Sequence, residues 1–256
     1  FDQMWTAVNL RGYAWHEIDP AKKMAYIRAH KTRADLAQWL EPFCFTHATG
    51  SAATLDIRAP LDEQADWLRE SSPDYLFTGP SNLRYLCEHL LARGESLPGL
   101  SCIRTVGESL TDAARETARR VFGCPVKDIY GTSEAGTIAI ECGASSFYHI
   151  QSEAAYVEIL REDGSPCAPG ETGKVVVTPL HNFAMPLIRY EIGDYAEVGE
   201  PCPCGRGLPT LKQVLGRVRN RYLTPAGWQW PVWGRSAWAS AFGIRQIQVI
   251  QHALDD

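Results

Sequence analysis

The segment from Tyr130 to Cys142 combines residue types that can hold a phosphate and a divalent cation. It follows a predicted strand, Val126–Tyr130, turns through the small and hydroxylated residues 131–133, and becomes extended again at residues 137–140. A strand that ends in such a turn exposes backbone N–H groups and hydroxyls together, which suits a phosphate. Glu134 adds a carboxylate oxygen of the kind that Mg²⁺ prefers. The alternative, a polar turn with a solvated glutamate, stays open on these residues alone.

A second set of residues could bind a metal ion. Cys142 and His149 flank a short loop, and Cys202 and Cys204 form a Pro/Gly knuckle in which both sulfurs can face one point. Three thiolates and one imidazole match a closed tetrahedral zinc site that has no open position for catalysis. Cys167 is a reserve ligand. The alternative is that these residues are ordinary core or surface residues, to which we assign the other cysteines, Cys44, Cys87, Cys102 and Cys124.

Alternating helices and strands precede this region and must position it. Residues 1–40 are predicted to be helical, including a helix at 21–39 that begins after Asp19-Pro20. Further helices are predicted at 60–70, 80–93 and 111–121, and strands at 74–78, 102–106 and 126–130. This repetition predicts an α/β fold, a parallel doubly wound sheet with flanking helices. Binding sites in such sheets lie at the carboxyl ends of the strands, where the turns 107–109 and 131–134 are placed.

The second half of the chain is predicted to be a distorted β-barrel subdomain. Strands at 154–161, 173–178 and 187–190 alternate there with Gly/Pro turns. We therefore divide the chain into an α/β subdomain at 1–137, a β subdomain at 138–218, and a hinge with the start of a truncated C-terminal region at 219–256. Four tryptophans in the last part fit core packing better than a binding surface, and they are Trp228, Trp230, Trp233 and Trp238.

Composition excludes several classes of protein. The 256 residues are 45% hydrophobic and 21% charged, with a formal net charge of −5, an ordinary globular balance. No basic patch suggests a nucleic-acid partner, and no apolar run approaches the ~18 residues of a membrane span. Eight cysteines are too few for a disulfide scaffold, so we expect a reducing, cytoplasmic setting. The chain starts with Phe1 in mid-pattern, which suggests a fragment of a longer protein.

Several short blocks together resemble the adenylate-forming ligases, in the phenylacetate–coenzyme A ligase-like branch that includes capsule-biosynthesis relatives. Any one block would be a weak signal, but they occur in the family's order. The matching blocks are Val106–Glu108, Tyr130–Glu134, Met185–Asp194, Cys202–Pro209 and Gly216–Arg217. The resemblance implies the incomplete large domain of such a ligase. It also implies a reaction in which a carboxylate joins the α-phosphate of ATP, and a thiol such as coenzyme A then attacks the acyl-adenylate.

The resemblance implies a nucleoside site built from five of these residues. Tyr130 would stack on the adenine ring, and Gly107 and Glu108 would form the walls of the adenine slot. Asp194 would accept hydrogen bonds from both ribose hydroxyls. Arg217 would reach the ribose or the phosphate. Asp194 as the cap of a turn and Arg217 as a surface charge stay open as alternatives.

The resemblance also implies a phosphate site next to the nucleoside. Gly131 belongs to the same nucleotide-binding turn, and the hydroxyls of Thr132 and Ser133 would point at the α-phosphate. Glu134 would hold Mg²⁺, which neutralises charge as the phosphoryl oxygens rearrange. The expected partners are therefore ATP or AMP, a small carboxylic acid and coenzyme A. We expect no nucleic acid and no membrane, and a homodimer stays an open alternative.

Three departures from the family affect what this polypeptide can do. It contains no Ser/Thr/Gly-rich loop of the kind that grips the β- and γ-phosphates. It ends at Asp256, before a C-terminal domain whose lysine assists adenylation. The hinge position is Asn220, where the family has an acidic residue. We therefore expect this fragment to be inactive alone. A non-catalytic nucleotide-binding or scaffold protein, and an adenylating enzyme with an amine or carrier acceptor, are the alternative functions.

Overall fold

Four helices and fourteen strands form the regular structure of the residues that the computed structural model describes, which are 2–40, 47–217, 222–225, 227–229 and 251. The helices are α1 Asp2–Trp15, α2 Leu61–Ser71, α3 Pro80–Ala92 and α4 Asp112–Phe122. The first seven strands are β1 Met24–Arg28, β2 Ala34–Leu36, β3 Ala52–Asp56, β4 Tyr75–Thr78, β5 Cys102–Val106, β6 Val126–Thr132 and β7 Gly136–Glu141. The others are β8 Tyr148–Ile150, β9 Ala155–Leu160, β10 Thr172–Pro179, β11 Tyr190–Val198, β12 Thr210–Arg217, β13 Tyr222–Thr224 and β14 Gly227–Gln229.

Twelve of these strands form one mixed sheet in the order β2-β3-β1-β4-β5-β6-β7-β8-β12-β11-β10-β9. In this spatial order, neighbouring strands from β3 to β6 pair in parallel, whereas neighbouring strands from β6 to β9 pair antiparallel. Register shifts bend β10, β11 and β12. The predicted α/β class is confirmed, and the strands assigned to a distorted β-barrel subdomain form the antiparallel half of the same sheet. The division of the chain at residues 137 and 218 stays a prediction.

The parallel strands are buried on both faces because helices cover both sides. Along β1, Ala25 and Ile27 point into the core beneath α2, α3 and α4, whereas Met24 and Tyr26 point into the core beneath α1. Successive residues of a strand point to opposite faces, so an apolar run such as this one fits only between two helical layers. This packing fixes the position of the strand ends from which the turns after β5 and β6 leave the sheet.

The predicted helix at 21–39 is wrong. Residues 24–28 form β1 in the middle of the sheet, and residues 34–36 form β2 at its edge. Asp19 does bond the backbone locally, because its Oδ1 accepts the Ala21 N–H at 2.9 Å, but the bond closes a turn. Burial of Met24–Ile27 between two layers outweighs the helical pattern of their neighbours.

The strand predicted at 187–190 begins only at its last residue, Tyr190. Arg189 has a left-handed backbone, φ 49°, and donates its N–H to Thr178 Oγ1 at 2.9 Å. A non-glycine residue in that conformation cannot continue a β-strand. Residues 181–189 therefore form an irregular segment before β11.

The helices at 61–71, 80–92 and 112–122 confirm the other helix predictions. The predicted hinge residue Asn220 and the tryptophans at 230, 233 and 238 lie outside the described residues, and of Trp228 only the backbone is described, in β14. Among the described residues, no helix has both the length and the apolar character that crossing a membrane requires.

Candidate functional site

The turn between β6 and β7 is tight and presents polar side chains. Thr132 Oγ1 accepts the Ala135 N–H at 3.1 Å, which closes the turn. Ser133 is exposed and Glu134 is half-buried at its tip. The Cα of Gly131 packs against the opposite strand, since a Cβ there would lie 2.5 Å from the Gly136 carbonyl oxygen. The sequence thus holds a hydroxyl and a carboxylate at the end of a narrow hairpin.

Gly131→Ala should lower the free energy of unfolding by about 2–3 kcal/mol, because the added methyl group overlaps the backbone of β7. Chemical denaturation measures this change. Gly207→Ala is the matched control, because a Cβ at Gly207 meets nothing within 4 Å. Equal stabilities of the two variants would contradict the close packing of the hairpin.

Tyr130, Asp194 and Arg217 form a connected polar group beside this turn. The Tyr130 hydroxyl donates to Asp194 Oδ2 at 2.9 Å, and Arg217 Nε lies 3.1 Å from Asp194 Oδ1. Asp194 and Arg217 face each other across the β11–β12 pair, and Arg217 also donates to the Ile192 carbonyl at 2.6 Å. Burial, and then the charge of Asp194, raises the pKa of Tyr130, which keeps its phenol neutral as a donor.

Asp194 is buried and uses both carboxylate oxygens within the protein. The sequence did not predict these bonds. A carboxylate has about four lone-pair sites, so two bonds leave room for two further donors. This is the capacity that recognition of a vicinal diol requires.

The turn after β5 reaches the same place. A Cβ on Gly216, next to Arg217, would lie 3.1 Å from Ser109 Oγ, so this turn touches the end of β12. Glu108 Oε2 accepts the Ser81 N–H at 2.9 Å at the start of α3. Its carboxylate thus caps that helix, a role the sequence analysis missed. The sequence feature that could have indicated this role is Gly79 at the N-cap, which has no side chain to cap the helix itself.

The structure therefore brings most of the predicted nucleotide residues together. Tyr130, Asp194 and Arg217 are in direct contact, and the turns at 107–109 and 131–134 adjoin them. Among the described residues, no hydrogen bond or ion pair joins Glu134 to Asp194. The Glu134 carbonyl instead accepts from Asn182 Nδ2 at 3.5 Å.

The predicted metal residues also converge. One ligand atom from each of Cys142, His149, Cys202 and Cys204 lies within 4.8 Å of the others. The sulfurs of Cys142 and Cys202 are 3.8 Å apart, and Cys204 Sγ is 3.3 Å from His149 Nε2. Two sulfurs 2.3 Å from a tetrahedral centre would be about 3.8 Å apart, and a sulfur and a nitrogen about 3.6 Å. The donor set and its spacing fit a four-coordinate metal ion.

The reserve ligand Cys167 lies elsewhere. Its N–H donates to the Ile159 carbonyl, and its sulfur packs against Gly173, beside β9 and β10. Cys167 is not among the four residues of the cluster. Of the cluster thiols, Cys204 has its pKa lowered to about 7, first by the backbone N–H of Arg206, whereas burial raises the pKa of Cys202.

A buried polar network links the sheet to this cluster. Asp128 on β6 accepts hydrogen bonds from Thr105 Oγ1 at 2.5 Å and from the Tyr148 hydroxyl at 2.8 Å. Glu141, which precedes Cys142, accepts the Asp128 N–H at 2.9 Å and pairs with Arg115 at 2.8 Å. Burial raises the pKa of Asp128 to about 7, although the two hydroxyl donors oppose this shift.

Asp128 should make the fold less stable as the pH rises. A carboxyl whose folded pKa exceeds its unfolded value of about 3.9 stabilises the fold below that value, and this contribution is lost as the pH rises through 7. Asp128→Asn cannot ionise. The wild-type chain should therefore lose about 2 kcal/mol relative to Asp128→Asn between pH 5 and pH 8 in denaturant titrations. A difference in the free energy of unfolding between the two proteins that does not change with pH would contradict the raised pKa of Asp128.

Comparison with known proteins gives matches along most of the chain. A family model described as AMP-binding enzyme matches residues 15–184. The phenylacetate–coenzyme A ligase of Thermus thermophilus is 31% identical over 169 residues, which are 63% of this chain and 38% of that protein. Protein CapK of Staphylococcus aureus is 27% identical over 118 residues, 45% of this chain and 24% of that protein. The chain thus spans less than two fifths of the length of either relative.

A solved structure shares the fold. It is 2-hydroxyisobutyryl-CoA ligase in the postadenylation state, in complex with 2-HIB-AMP, with a TM-score of 0.72 and 20% identity. The similarity covers 89% of this chain and 51% of that one. At this level of identity the similarity concerns the fold alone.

Proposed function

Because the chain belongs to the AMP-binding enzyme family, in its phenylacetate–coenzyme A ligase-like branch, we propose that it forms the nucleotide site of an enzyme that activates a carboxylic acid with ATP. The acid attacks the α-phosphate, pyrophosphate leaves, and the acyl-adenylate then passes its acyl group to a thiol such as coenzyme A. The observation that carries the proposal is the contact of Tyr130 and Arg217 with the buried Asp194.

Asp194 is the proposed ribose ligand. Its carboxylate is held in place by two partners and has lone pairs left for the two sugar hydroxyls. Tyr130 orients the carboxylate through its hydroxyl, and its ring is the proposed adenine support. Gly107 and Glu108 would form the walls of the adenine slot, with Glu108 fixed by its bond to the start of α3.

The β6–β7 turn is the proposed phosphate site. Ser133 is exposed there and can donate to an α-phosphate oxygen, whereas the Thr132 hydroxyl also keeps the turn closed. Gly131 permits the close approach of the two strands. Glu134 offers a carboxylate to Mg²⁺, which would supply neutralisation of the charge on the phosphates.

The cluster of Cys142, His149, Cys202 and Cys204 is the proposed site of a structural zinc ion. Four protein ligands leave no position for water or substrate, so the ion would fasten β7 and β8 to the 202–204 knuckle rather than take part in catalysis. The proposal also includes a cytoplasmic location and small-molecule partners, with neither nucleic acid nor membrane, and a homodimer stays an open alternative.

Two measurements test the proposed reaction. The 256-residue chain should bind AMP in a calorimetric titration but should not turn over ATP. The full-length protein that contains it should exchange labelled pyrophosphate into ATP when a suitable carboxylic acid is present. AMP binding that persists after Glu134→Ala, without exchange on a broad panel of aromatic and aliphatic acids, would favour the non-catalytic nucleotide-binding alternative. Competition between coenzyme A, amines and carrier proteins for the acyl-adenylate would identify the acceptor.

A further inference from the structure

The C-terminal end of α1 covers the cysteine–histidine cluster. The Trp15 ring, at the end of the helix, makes an edge contact with the His149 ring, with centroids 5.3 Å apart. The next residue, His16, places Nε2 2.7 Å from the Glu141 carbonyl oxygen. Gly143 has its Cα against the helix, since a Cβ there would lie 2.1 Å from the Trp15 carbonyl oxygen. The end of the helix therefore contacts the residues that precede and follow Cys142 in the sequence.

Arg206 joins the same group from the other side. It follows Cys204 by two residues, and its guanidinium lies over the Trp15 ring, 4.6 Å from the centroid. Its Nη1 donates to Cys142 Sγ at 3.6 Å. Arg206 thus connects a cluster thiol to the helix through a cation–π contact, which is stronger with tryptophan than with other rings.

The charge of the loaded cluster explains why a cation belongs here. Three thiolates and one divalent ion sum to −1, and the half-buried guanidinium beside Cys142 offsets that charge. Lys127 donates to the backbone oxygens of Cys142 at 2.9 Å and Gly143 at 3.1 Å, and it pairs with the Glu141 carboxylate at 3.6 Å. Groups outside the ligand set that hold the ligands in this way change metal affinity by about 10–100-fold.

We infer that Arg206 and Trp15 form an outer sphere that sets the zinc affinity of the cluster, and that zinc in turn fastens the C-terminal end of α1 to the sheet. This inference rests on the proposed zinc site. A bound cation would join Cys142 and His149 to the 202–204 knuckle and so hold both residues at the spacing that the indole and guanidinium contact. Loss of zinc should therefore loosen residues 10–16, at the end of α1, and leave α2, on the opposite face, unchanged.

Zinc affinity, measured by chelator competition on the full 256-residue chain, tests the first part. Arg206→Met should bind zinc about 10-fold more weakly than wild type, Arg206→Lys should fall between them, and Trp15→Leu should also weaken binding. Arg120→Met, at an exposed position on α4, and Trp5→Leu, at the other end of α1, are matched controls that should keep wild-type affinity.

Hydrogen exchange tests the second part without any activity assay. Chelation of zinc should speed exchange at residues 10–16 of the wild-type chain but not in α2. Unchanged zinc affinity in both Arg206→Met and Trp15→Leu, or unchanged exchange at 10–16 after chelation, would overturn this inference alone. A wild-type chain purified without zinc, and unable to take it up, would overturn the metal site and this inference together.

Discussion

Asp194→Asn should weaken AMP binding by about 50-fold while the chain stays folded. The asparagine keeps the size of the side chain but loses the negative charge that would accept both ribose hydroxyls, and charge-assisted hydrogen bonds contribute about 1.5–3 kcal/mol. The substitution also replaces one carboxylate oxygen, an acceptor, with an amide NH₂ group, a donor. Arg217 Nε, itself a donor, lies 3.1 Å from one of these oxygens. Isothermal titration of the purified variant with AMP measures the loss.

The matched control for Asp194 lies on the same strand. Glu191 is exposed, and its carboxylate lies 3.7 Å from Lys174 Nζ. Glu191→Gln therefore removes an equal charge from β11 without changing the group formed by Tyr130, Asp194 and Arg217. It should bind AMP as wild type does. A folded Asp194→Asn variant with wild-type affinity would remove Asp194 from the nucleotide site, and circular dichroism would establish that the variant is folded.

Cys202→Ser should abolish stoichiometric zinc and lower the melting temperature by about 10 °C. A hydroxyl is a poor replacement for a thiolate ligand, and the three remaining ligands lie among buried groups that the ion would hold together. A loss of about 3 kcal/mol corresponds to this shift in a domain of this size. Elemental analysis of the purified chain gives the zinc content, and calorimetry gives the melting temperature.

Cys167→Ser is the matched control for the cluster, because Cys167 lies beside β9 and β10 and outside the four residues. It should keep the metal and nearly the same melting temperature. If Cys202→Ser keeps wild-type zinc content, the metal is held elsewhere or not at all. If both serine variants lose zinc, the cluster does not explain the binding.

The sequence predicted best where local pattern and tertiary packing agree. The helix Asp112–Phe122 was predicted at 111–121, and it begins after Thr111, whose side chain accepts the Ala114 N–H. The family resemblance is confirmed, since the blocks that carry it lie along a chain that belongs to the AMP-binding enzymes. The cysteines and histidine also come together, because β8 pairs with β12 and places His149 near the 202–204 knuckle.

The sequence failed where burial overrides local preference. Residues 24–27 have no strand signal strong enough to outweigh a helical neighbourhood, yet two helical layers bury them in the sheet. Arg104 shows the same limit, because a charged residue in β5 is 1% exposed and packs over the Tyr13 ring at 4.1 Å. Its guanidinium has no hydrogen-bond partner within the described structure. Burial between the helical layers on the two faces of the sheet, and not local sequence pattern, places these residues inside.

The individual roles of the site residues stay predictions. The contact between Tyr130 and Asp194 joins residues 64 positions apart, and no sequence pattern gives such a distance. Glu108 shows that a residue in a matching block can have a structural bond as well, because its carboxylate caps α3. Family motifs therefore locate the site, whereas the contacts decide what each side chain can do there.

Carboxylate-dependent exchange of labelled pyrophosphate into ATP, by the full-length protein containing these residues, tests the central claim most directly. We expect label in ATP only when a suitable acid is present, and a sharp loss of exchange in Asp194→Asn at limiting ATP. Exchange that needs no acid, or its absence across a broad acid panel in a protein that binds AMP, would contradict the proposed activation of a carboxylic acid.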